Sequence, residues 1–301
     1  ITVSLFLFGF YLLKTLRVML RIAIQSKGRL YEESMALLEE AGIKIPGGKR
    51  TLLVPARNFP VEVLFLRDDD IPESVASGVA DVGIVGLNEV MEKRCPVGIL
   101  KKLGFGKCRL SLAIPQDIDY QDRNWFSGKK IATSYPGILS DYLHKNGIVS
   151  DIHVITGSVE IAPGIRLADA IFDIVSSGST LVSNRLKEVE TVVESEAVLI
   201  GTDSISPEKR GILDELLFRF DSVQAADDKK YILMNVPQKK LNDVLSVLPG
   251  IKSPTVMPLA DKEWCSVHTV LDEKCFWEII NRLKTAGAEG ILVLDIEKMI
   301  L

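Results

Sequence analysis

The strongest chemical signal in the sequence is a loop of hydroxyl residues around one glycine, Ser176-Ser177-Gly178-Ser179-Thr180. It follows an apolar stretch and precedes a predicted helix start. Successive backbone N–H groups, hydroxyl donors and the positive end of the helix dipole would therefore face one point. These donors suit a phosphate monoester. From the residues alone, an ordinary helix cap is the alternative.

Two acidic residues stand just before this loop. Asp169 and Asp173 are spaced so that they would lie close to one helix face. Their carboxylates could accept hydrogen bonds from vicinal ribose hydroxyls or help to hold a magnesium ion. A phosphate loop with an acidic pair indicates a sugar phosphate as the ligand, and two solvated acids are the alternative.

A basic loop, Lys27-Gly28-Arg29, follows the first predicted strand, which runs from Leu20 to Ile24. In open α/β sheets, ligands bind beyond the carboxyl ends of the strands, so this loop is a second candidate site for an anion. A solvated basic turn is the alternative interpretation.

Several common catalytic motifs are missing from the sequence. It contains no Walker A sequence, GxGxxG, GxSxG or HExxH, which weighs against P-loop kinases, Rossmann dehydrogenases, α/β-hydrolases and zincins. The cysteines, Cys95, Cys108, Cys265 and Cys275, form no CxxC pair and no zinc-ligand spacing. We therefore expect reduced, cytosolic thiols and no structural metal.

The composition is that of an ordinary globular protein. The chain has 301 residues, of which 47% are hydrophobic and 25% are charged, with a formal net charge of −4. This length allows two or three domains with cores of their own, and disordered, collagen-like and miniprotein classes are excluded. The balanced charge gives no general attraction to nucleic acid or to an anionic membrane, so a polyanion must bind at a local site.

The predicted elements must place the two loops on a common scaffold. Strands and helices alternate from Met19 onward, which indicates an α/β fold with mostly parallel strands. Residues 75–86 and 166–178 resemble each other, since in each a predicted helix is followed by an aspartate, a short apolar strand and a glycine. We expect two similar lobes that face one another across a cleft.

The last part of the chain, from about Asp227, has a different pattern. Its predicted order is strand, helix, strand, strand, helix, strand, which is typical of a ferredoxin-like unit. The spacing of Leu241, Val244, Leu245 and Leu248 predicts a helix that packs one face on the sheet. Because no group of catalytic residues stands out here, we expect a regulatory or oligomerising role.

The first eighteen residues do not fit this pattern. The apolar stretch from Ile1 to Leu13 has no initiating Met, basic segment or cleavage site, so it fails as a signal peptide. It is also shorter than the roughly twenty residues that span a bilayer. We interpret residues 1–18 as a non-native extension before a start at Met19, and a membrane anchor is the alternative.

A series of motifs makes the chain resemble the ATP phosphoribosyltransferases of the long, histidine-regulated form. The resemblance runs from Met19 to the C-terminus. The motifs, in chain order, are RIAIQSKGRL, LRDDDIP, DVGIVG, CRLSLA, IATSYP, GSVEIAP with LADAIFDIVSSGSTL, and LVLDIEKMI.

This resemblance implies transfer of the 5-phosphoribosyl group of phosphoribosyl pyrophosphate (PRPP) to N1 of ATP, with release of pyrophosphate and with Mg²⁺, as the first step of histidine biosynthesis. It also implies a two-lobed body with the type II periplasmic-binding-protein fold. We expect catalytic lobe I at residues 19–111 and 201–224, catalytic lobe II at residues 112–200, and a regulatory domain at residues 225–301.

The resemblance also assigns residues to PRPP. The hydroxyl loop at residues 176–180 matches the cradle for the 5-phosphate of PRPP. Asp169 and Asp173 match the acidic positions that face the ribose, and Glu160 belongs to the same motif. On the opposite lobe, Lys27, Arg29 and Arg50 match cations that would stabilise the leaving pyrophosphate.

On the ATP side, the resemblance assigns Gly28, Asp70 and Tyr135. A carboxylate at Asp70 could hydrogen-bond the exocyclic amine of adenine, and the ring of Tyr135 could stack on the base. A structural acid and a packing aromatic are the alternatives for these two. Because N1 of adenine has no proton to lose, we expect no general base, and cations near the leaving oxygens should lower the barrier.

In the third domain, Thr255 is the one contact to the inhibitor histidine that the resemblance carries over. The resemblance also implies homodimers that assemble into hexamers, and histidine would favour the less active hexamer through differential binding to two states. No nucleic acid or membrane partner is expected.

Two other functions compete with this interpretation. One is a non-catalytic solute-binding protein or sensor. The presence of the hydroxyl loop and the lack of a signal peptide both weigh against it. The other is a purine-salvage phosphoribosyltransferase, which would also carry an acidic pair before a phosphate loop. The repeat in the body and the appended domain oppose this second alternative.

Overall fold

The fold is taken from a computed structural model of the chain, which describes residues 18–47, 51–249 and 254–300. The predicted leaving-group cation Arg50 and residues 1–17 of the predicted extension lie outside this part. The chain divides into two compact units, one up to Asp214 and one from Glu215 onward. In the part that is described, no helix has the length and the apolar composition needed to span a membrane.

The first unit contains two groups of strands with helices between them. The strands are β1 (Leu20–Gln25), β2 (Leu53–Pro55), β3 (Val61–Leu66), β4 (Val82–Gly86), β5 (Gly98–Lys102), β6 (Cys108–Pro115), β7 (Lys130–Thr133), β8 (Asp151–Val154), β9 (Ala170–Val175), β10 (Leu186–Ser195) and β11 (Ala197–Gly201). The helices are α1 (Arg29–Glu40), α2 (Ile71–Ala76), α3 (Leu87–Lys93), α4 (Pro136–Lys145), α5 (Ser179–Ser183) and α6 (Pro207–Ala226), the last of which continues into the second unit.

These strands form two separate sheets. The first has the order β2-β3-β1-β4-β11-β5, and the second has the order β10-β6-β9-β7-β8. In each, a parallel trio is extended by antiparallel strands, since β1 pairs in parallel with β3 and β4, and β7 with β8 and β9. The near-continuous apolar sequence of strands such as β11, which is buried along its whole length, is typical of a sheet covered on both faces.

The chain passes between the two sheets twice. One connection covers residues 103–107, between β5 and β6, and the other is Glu196, between β10 and β11. The predicted lobe borders at residues 111/112 and 200/201 fall inside β6 and β11. Because a strand stays hydrogen-bonded to its own sheet along its length, we propose that the lobes divide at these two connections.

An aspartate holds the equivalent position in each lobe. Asp81 precedes β4 and accepts the backbone N–H of Arg21 at 2.8 Å, while Asp169 precedes β9 and accepts that of Lys130 at 2.8 Å. Each carboxylate ties the start of one parallel strand to its neighbour, so the sequence repeat corresponds to a structural repeat. The helix predicted before Asp169 is wrong, because that stretch is a turn in which Arg166 has φ 60°.

The second unit has the predicted element order. Its strands are β12 (Lys229–Pro237), β13 (Thr255–Pro258), β14 (Trp264–Asp272) and β15 (Glu289–Asp295), and its helices are α7 (Leu241–Val247) and α8 (Glu273–Ala286). The strands form one antiparallel sheet in the order β13-β14-β12-β15. Buried side chains from sheet and helices, among them Met234, Val267, Phe276 and Leu283, form one core. The predicted βαββαβ unit is therefore confirmed.

Candidate functional site

A cleft of about 410 Å³ lies where the chain crosses between the two sheets of the first unit. Both connections contribute to it, together with the start of the hydroxyl loop. Its lining residues are Leu87, Lys102, Lys107, Cys108, Arg109, Ser176, Glu194, Ser195 and Glu196. Three basic side chains, two glutamates and two serines thus line one concave surface, which offers cations and hydroxyl donors to an anionic ligand.

The basic loop, which follows β1 of the first sheet, lies beside this cleft. Gly28 has φ 91°, a backbone conformation that favours glycine, and helix α1 begins at the next residue. Arg29 Nη2 donates to the carbonyl oxygen of Lys107 at 3.3 Å, and its Nε lies 3.5 Å from a carboxylate oxygen of Glu33. The guanidinium of Arg29 therefore lies beside the cleft, and Lys27 is exposed on the same loop.

The hydroxyl loop reaches it from the second sheet. It follows β9 directly, and Gly178, with φ 79°, stands before the first residue of α5. Ser177 Oγ lies 3.0 Å from Ser179 Oγ. The side chains of Ser176, Ser177, Ser179 and Thr180 are exposed, so hydroxyl and backbone N–H donors remain accessible to a ligand.

The two acids before the loop are not neighbours. Asp173 lies in β9 and Asp169 directly precedes that strand, so neither is on a helix and the expectation of one helix face is wrong. At about 3.3 Å per residue, Asp169 is roughly 13 Å from Asp173 along the strand. Asp169 makes the structural contact with Lys130 described above, whereas Asp173 lies at the loop end. The predicted ribose contact of Asp169 stays a prediction.

Asp173 is an unusual carboxylate. Burial raises the pKa of Asp173 to about 6, the backbone N–H of Ile174 opposes this rise, and the nearby negative charge of Glu160 adds to it. Oδ1 of Asp173 accepts that N–H at 2.8 Å. Asp173 in β9 and Glu160 in the short helical turn at residues 159–161 repel one another, so hydroxyl donors or a cation would stabilise the two charges.

A buried polar network joins the two lobes behind this site. Tyr135 Oη donates to Glu89 Oε1 at 2.8 Å, and Asn88 Nδ2 donates to the same oxygen at 3.0 Å. Ser195 Oγ, at the crossing between the sheets, donates to Asn88 Oδ1 at 2.8 Å. Burial raises the pKa of Glu89, and the hydrogen bond from Tyr135 opposes this rise.

The network contains Tyr135, one of the two residues that the resemblance assigns to adenine. Tyr135 is 8% exposed, and its hydroxyl is held by Glu89, so only part of the ring is accessible. Asp70 is exposed at the start of α2. Burial is the main cause that raises the pKa of Glu89 and of Tyr135, and the charge of Asp68, a neighbour of Asp70, adds a smaller contribution to each. Both assignments stay predictions.

Sequence reasoning missed Asn88, Glu89 and Asp68. The signal for the first two was present, since two polar residues directly follow the apolar strand β4 and begin a helix. Their burial depends on Tyr135 from the other lobe, a contact across 46 positions in sequence. No local pattern could have indicated it.

A second contact between the lobes gives a test of their mutual stability. The Glu92 carboxylate of α3 accepts the backbone N–H groups of Gly137 at 2.8 Å and Ile138 at 2.9 Å, at the start of α4. We expect Glu92→Ala to lower the free energy of unfolding by about 1 to 2 kcal/mol, the usual cost of losing a helix cap. Urea unfolding would measure it, with the exposed Glu40→Ala as control. Equal stability of the two variants would contradict the capping role.

Metal ligands do not form a cluster of their own here. Among the residues that the structure describes, no three or more histidine, cysteine, aspartate or glutamate side chains group so as to hold a metal ion. Asp173 stands shortly before the hydroxyl loop, and Glu160 is close enough for its charge to raise the pKa of Asp173. Since Mg²⁺ commonly binds one or two carboxylates together with substrate phosphates, this pair fits an ion that arrives with a phosphorylated ligand.

Comparisons with known proteins give a consistent result. A family model described as ATP phosphoribosyltransferase matches residues 67–222, and a model of the C-terminal domain of the same family matches residues 226–298. An ATP phosphoribosyltransferase of Bacteroides fragilis is 70% identical over 283 residues, covering 94% of this chain and 100% of the relative. That of Phocaeicola vulgatus is 71% identical with the same coverage.

A solved structure is similar as well. It is described as an ATP phosphoribosyl transferase (HisG:HisZ) complex from Thermotoga maritima, and it aligns with a TM-score of 0.59 and 27% identity over 67% of this chain and 96% of that chain. The resemblance found in the motifs is confirmed. The predicted fold class, a two-lobed α/β body with a C-terminal βαββαβ domain, is confirmed too.

Proposed function

The chain belongs to the ATP phosphoribosyltransferase family in its long form, and we propose that the cleft between its two sheets is where the family's reaction takes place. That reaction transfers the 5-phosphoribosyl group of PRPP to N1 of ATP, giving phosphoribosyl-ATP and pyrophosphate, as the first step of histidine biosynthesis. The observation that carries the proposal is that Ser176 of the hydroxyl loop lines this cleft, while Arg29 of the basic loop hydrogen-bonds the carbonyl oxygen of Lys107, another lining residue.

The 5-phosphate of PRPP would bind the hydroxyl loop. Exposed hydroxyls at Ser176, Ser177, Ser179 and Thr180 and the backbone N–H groups around Gly178 can donate to its oxygens. Gly178 has φ 79°, which lets the backbone turn sharply at this point. The phosphate would thereby anchor the substrate at the carboxyl end of β9, with the ribose toward Asp173.

Asp173 and Glu160 would face the ribose. A carboxylate whose pKa is raised to about 6 by burial gains from hydrogen-bond donors, and the vicinal ribose hydroxyls supply them. Asp169 is retained as a weaker candidate. The family uses a divalent metal ion, and we propose Mg²⁺ carried by the pyrophosphate of PRPP, with Asp173 and Glu160 nearest to it. There the ion would neutralise charge on the departing pyrophosphate.

The leaving pyrophosphate would meet the cations of the first lobe. Arg29 and Lys27 stand at the start of α1, and Arg50 is the third cation proposed. Positive charge at this position stabilises the negative charge that develops as the bond to the anomeric carbon breaks. No general base is proposed, because N1 of adenine attacks through a lone pair and loses no proton.

ATP would enter from the side of the first lobe. Gly28 allows close approach of the backbone to a phosphate, and Asp70 and Tyr135 are proposed to contact the adenine. Support for Tyr135 is its place at the lobe boundary, where the network with Glu89 fixes the ring. The network would hold the base-binding surfaces of the two lobes in register.

The second unit is proposed to bind histidine as a feedback inhibitor, with Thr255 as one contact. Thr255 is exposed on the edge strand β13, opposite His268 of β14. We also propose a homo-oligomer, from dimer to hexamer, and a cytoplasmic location. All four cysteines are free thiols, as is usual where thiols stay reduced.

The test mixes the purified protein with ATP, PRPP and Mg²⁺ and follows the ultraviolet change produced by substitution at N1. We expect turnover that histidine suppresses, and a Thr255→Ala variant that needs more histidine for the same suppression at an unchanged uninhibited rate. Turnover with free adenine in place of ATP would favour purine salvage. Tight binding of PRPP without turnover would favour a sensor.

A further inference from the structure

Arg109, which has no role so far in the proposed binding of PRPP or ATP, contacts the start of the hydroxyl loop. It lies on β6, where it pairs in register with Val175, the last residue of β9 before the loop. From there, Nη1 of Arg109 donates to the carbonyl oxygen of Ser176 at 3.1 Å. A side chain from the neighbouring strand thus holds the first carbonyl of the loop.

The guanidinium of Arg109 is itself held rigidly. Its Nε and Nη2 donate to the two carboxylate oxygens of Glu188, each at 2.5 Å, in the fork geometry that fixes a guanidinium plane. Ser111 Oγ donates to Glu188 Oε1 at 2.7 Å, and Thr191 Oγ1 donates to it at 3.2 Å. These donors lower the pKa of Glu188 to about 2, so the pair stays charged.

Strand β10 is built to present this carboxylate. Its pairing with β6 shifts register between Glu188 and Glu190 and again between Thr191 and Val193. Such irregularities re-aim side chains in a sheet. The side chain of Glu188 is 23% exposed and that of Arg109 is 34% exposed, so most of each side chain is buried.

A hydrogen bond that fixes the carbonyl of Ser176 also fixes the direction of the next backbone N–H donor. In a planar trans peptide the C=O and the next N–H point in opposite directions, so a hydrogen bond to Ser176 O sets the direction of the Ser177 N–H. Ser176 and Ser177 are exposed, so their side chains contribute little packing that could hold this peptide unit. The hydrogen bond from Arg109 supplies that restraint.

We propose that Arg109 is a positioning residue for PRPP: held by Glu188, it orients the first peptide unit of the hydroxyl loop so that the Ser177 N–H is directed for the 5-phosphate. This inference rests on the proposed function of the loop. It predicts that loss of Arg109 weakens binding of the phosphoribosyl end of PRPP and leaves binding of ATP unaffected.

The proposal is tested with Arg109→Met, Arg109→Lys and the double variant Arg109→Met/Glu188→Gln. The control is Arg123→Gln, which removes another arginine of the same lobe that hydrogen-bonds a neighbouring side chain, Asn146. For each protein one measures kcat, the KM values for PRPP and ATP, the affinity for ribose 5-phosphate by calorimetry, and thermal unfolding.

We expect KM for PRPP and Kd for ribose 5-phosphate to rise roughly tenfold in Arg109→Met, the size expected for one lost charge-assisted hydrogen bond. KM for ATP should change less than twofold. Arg109→Lys should resemble Arg109→Met, because the single ammonium of lysine cannot make the bidentate contact with Glu188 and also hydrogen-bond the Ser176 carbonyl. The double variant should keep the weak PRPP binding even where thermal stability recovers, since no unpaired carboxylate is then buried.

Three results would overturn the positioning role. Normal binding of ribose 5-phosphate by folded Arg109→Met would show that the contact between Arg109 and Ser176 does not contribute to substrate binding. Recovery of binding in Arg109→Lys would indicate direct charge attraction to the substrate instead, and recovery in the double variant would indicate a role in stability alone. If the unaltered protein does not bind PRPP, the proposed function fails rather than the role of Arg109.

Discussion

An Arg29→Ala variant is expected to lose about 10² to 10³ in kcat/KM, the range found when one preorganised electrostatic donor is removed from an active site. Arg29 stands at the start of α1, and its guanidinium contacts the Lys107 carbonyl beside the cleft. Charge develops on pyrophosphate only as its bond to the anomeric carbon breaks. The loss should therefore appear mainly in kcat, and KM for PRPP should change less.

The fold should tolerate this change. The ion pair of Arg29 with Glu33 has a separation of 3.5 Å and an arginine side chain that is 58% exposed, and exposed pairs contribute little to stability. Thermal unfolding of Arg29→Ala should match that of the unaltered protein. A matched control is Arg57→Ala, an exposed arginine of the same unit. Full activity in Arg29→Ala, or an equal loss in Arg57→Ala, would contradict the role of Arg29 in stabilising the leaving group.

The sequence predicted the two loops at and beside the cleft because each depends on local features. A glycine with positive φ, exposed serines and a following helix start are readable from the residues 176–180. The same holds for Gly28 and Arg29 after β1. The βαββαβ order of the last domain also followed from local apolar periodicity, as at Leu241 and Val244.

The placement of the acids could not be predicted in this way. The stretch containing Asp169 and Asp173 was assigned helical spacing, yet it pairs with β6 and β7 as β9. Pairing with distant strands overrides a weak local preference. The similarity of Asp81 and Asp169 can be seen in the sequence. Only the structure shows that each carboxylate binds the start of a neighbouring strand, at Arg21 and at Lys130.

The supporting residues of the site depend still more on tertiary contacts. Glu89 meets Tyr135 and Glu92 meets Gly137 only because the two lobes pack on one another. Arg109 reaches Ser176 because β6 and β9 are neighbours in the second sheet. In each case one partner looks in sequence like an ordinary surface charge, and its role follows from a residue on another element.

The second large effect is expected at Asp173, where activity and stability should change in opposite directions. Asp173→Asn keeps the size of the side chain and removes its charge. It should lower kcat/KM by about 10² to 10⁴ if the carboxylate accepts two ribose hydroxyls, since hydrogen bonds to charged groups contribute about 1.5 to 3 kcal/mol each. The matched comparison is Asp169→Asn, at the far end of β9, for which a smaller loss is expected because its carboxylate binds the Lys130 backbone.

Without ligand, the same change should stabilise the fold at neutral pH. Burial raises the pKa of Asp173 from 3.8 to about 6, so the folded state holds this proton more tightly than the unfolded state. Stability then falls as pH rises from about 4 to about 6, and the cost is fully present above that window. A rise of this size corresponds to roughly 2 to 3 kcal/mol. Asn at this position has no charge to desolvate, so the variant escapes this loss.

Urea unfolding of both proteins at about pH 5 and about pH 7.5 measures the difference. We expect Asp173→Asn to be more stable at the higher pH and to show less advantage at the lower pH, where the unaltered side chain is largely protonated. Lower stability of the variant at both values would mean that the carboxylate stabilises the fold. A stable variant with undiminished activity would remove Asp173 from the ribose site. The combination of higher stability and lower activity would indicate that this buried charge is retained for binding the substrate, at a cost to the stability of the free enzyme.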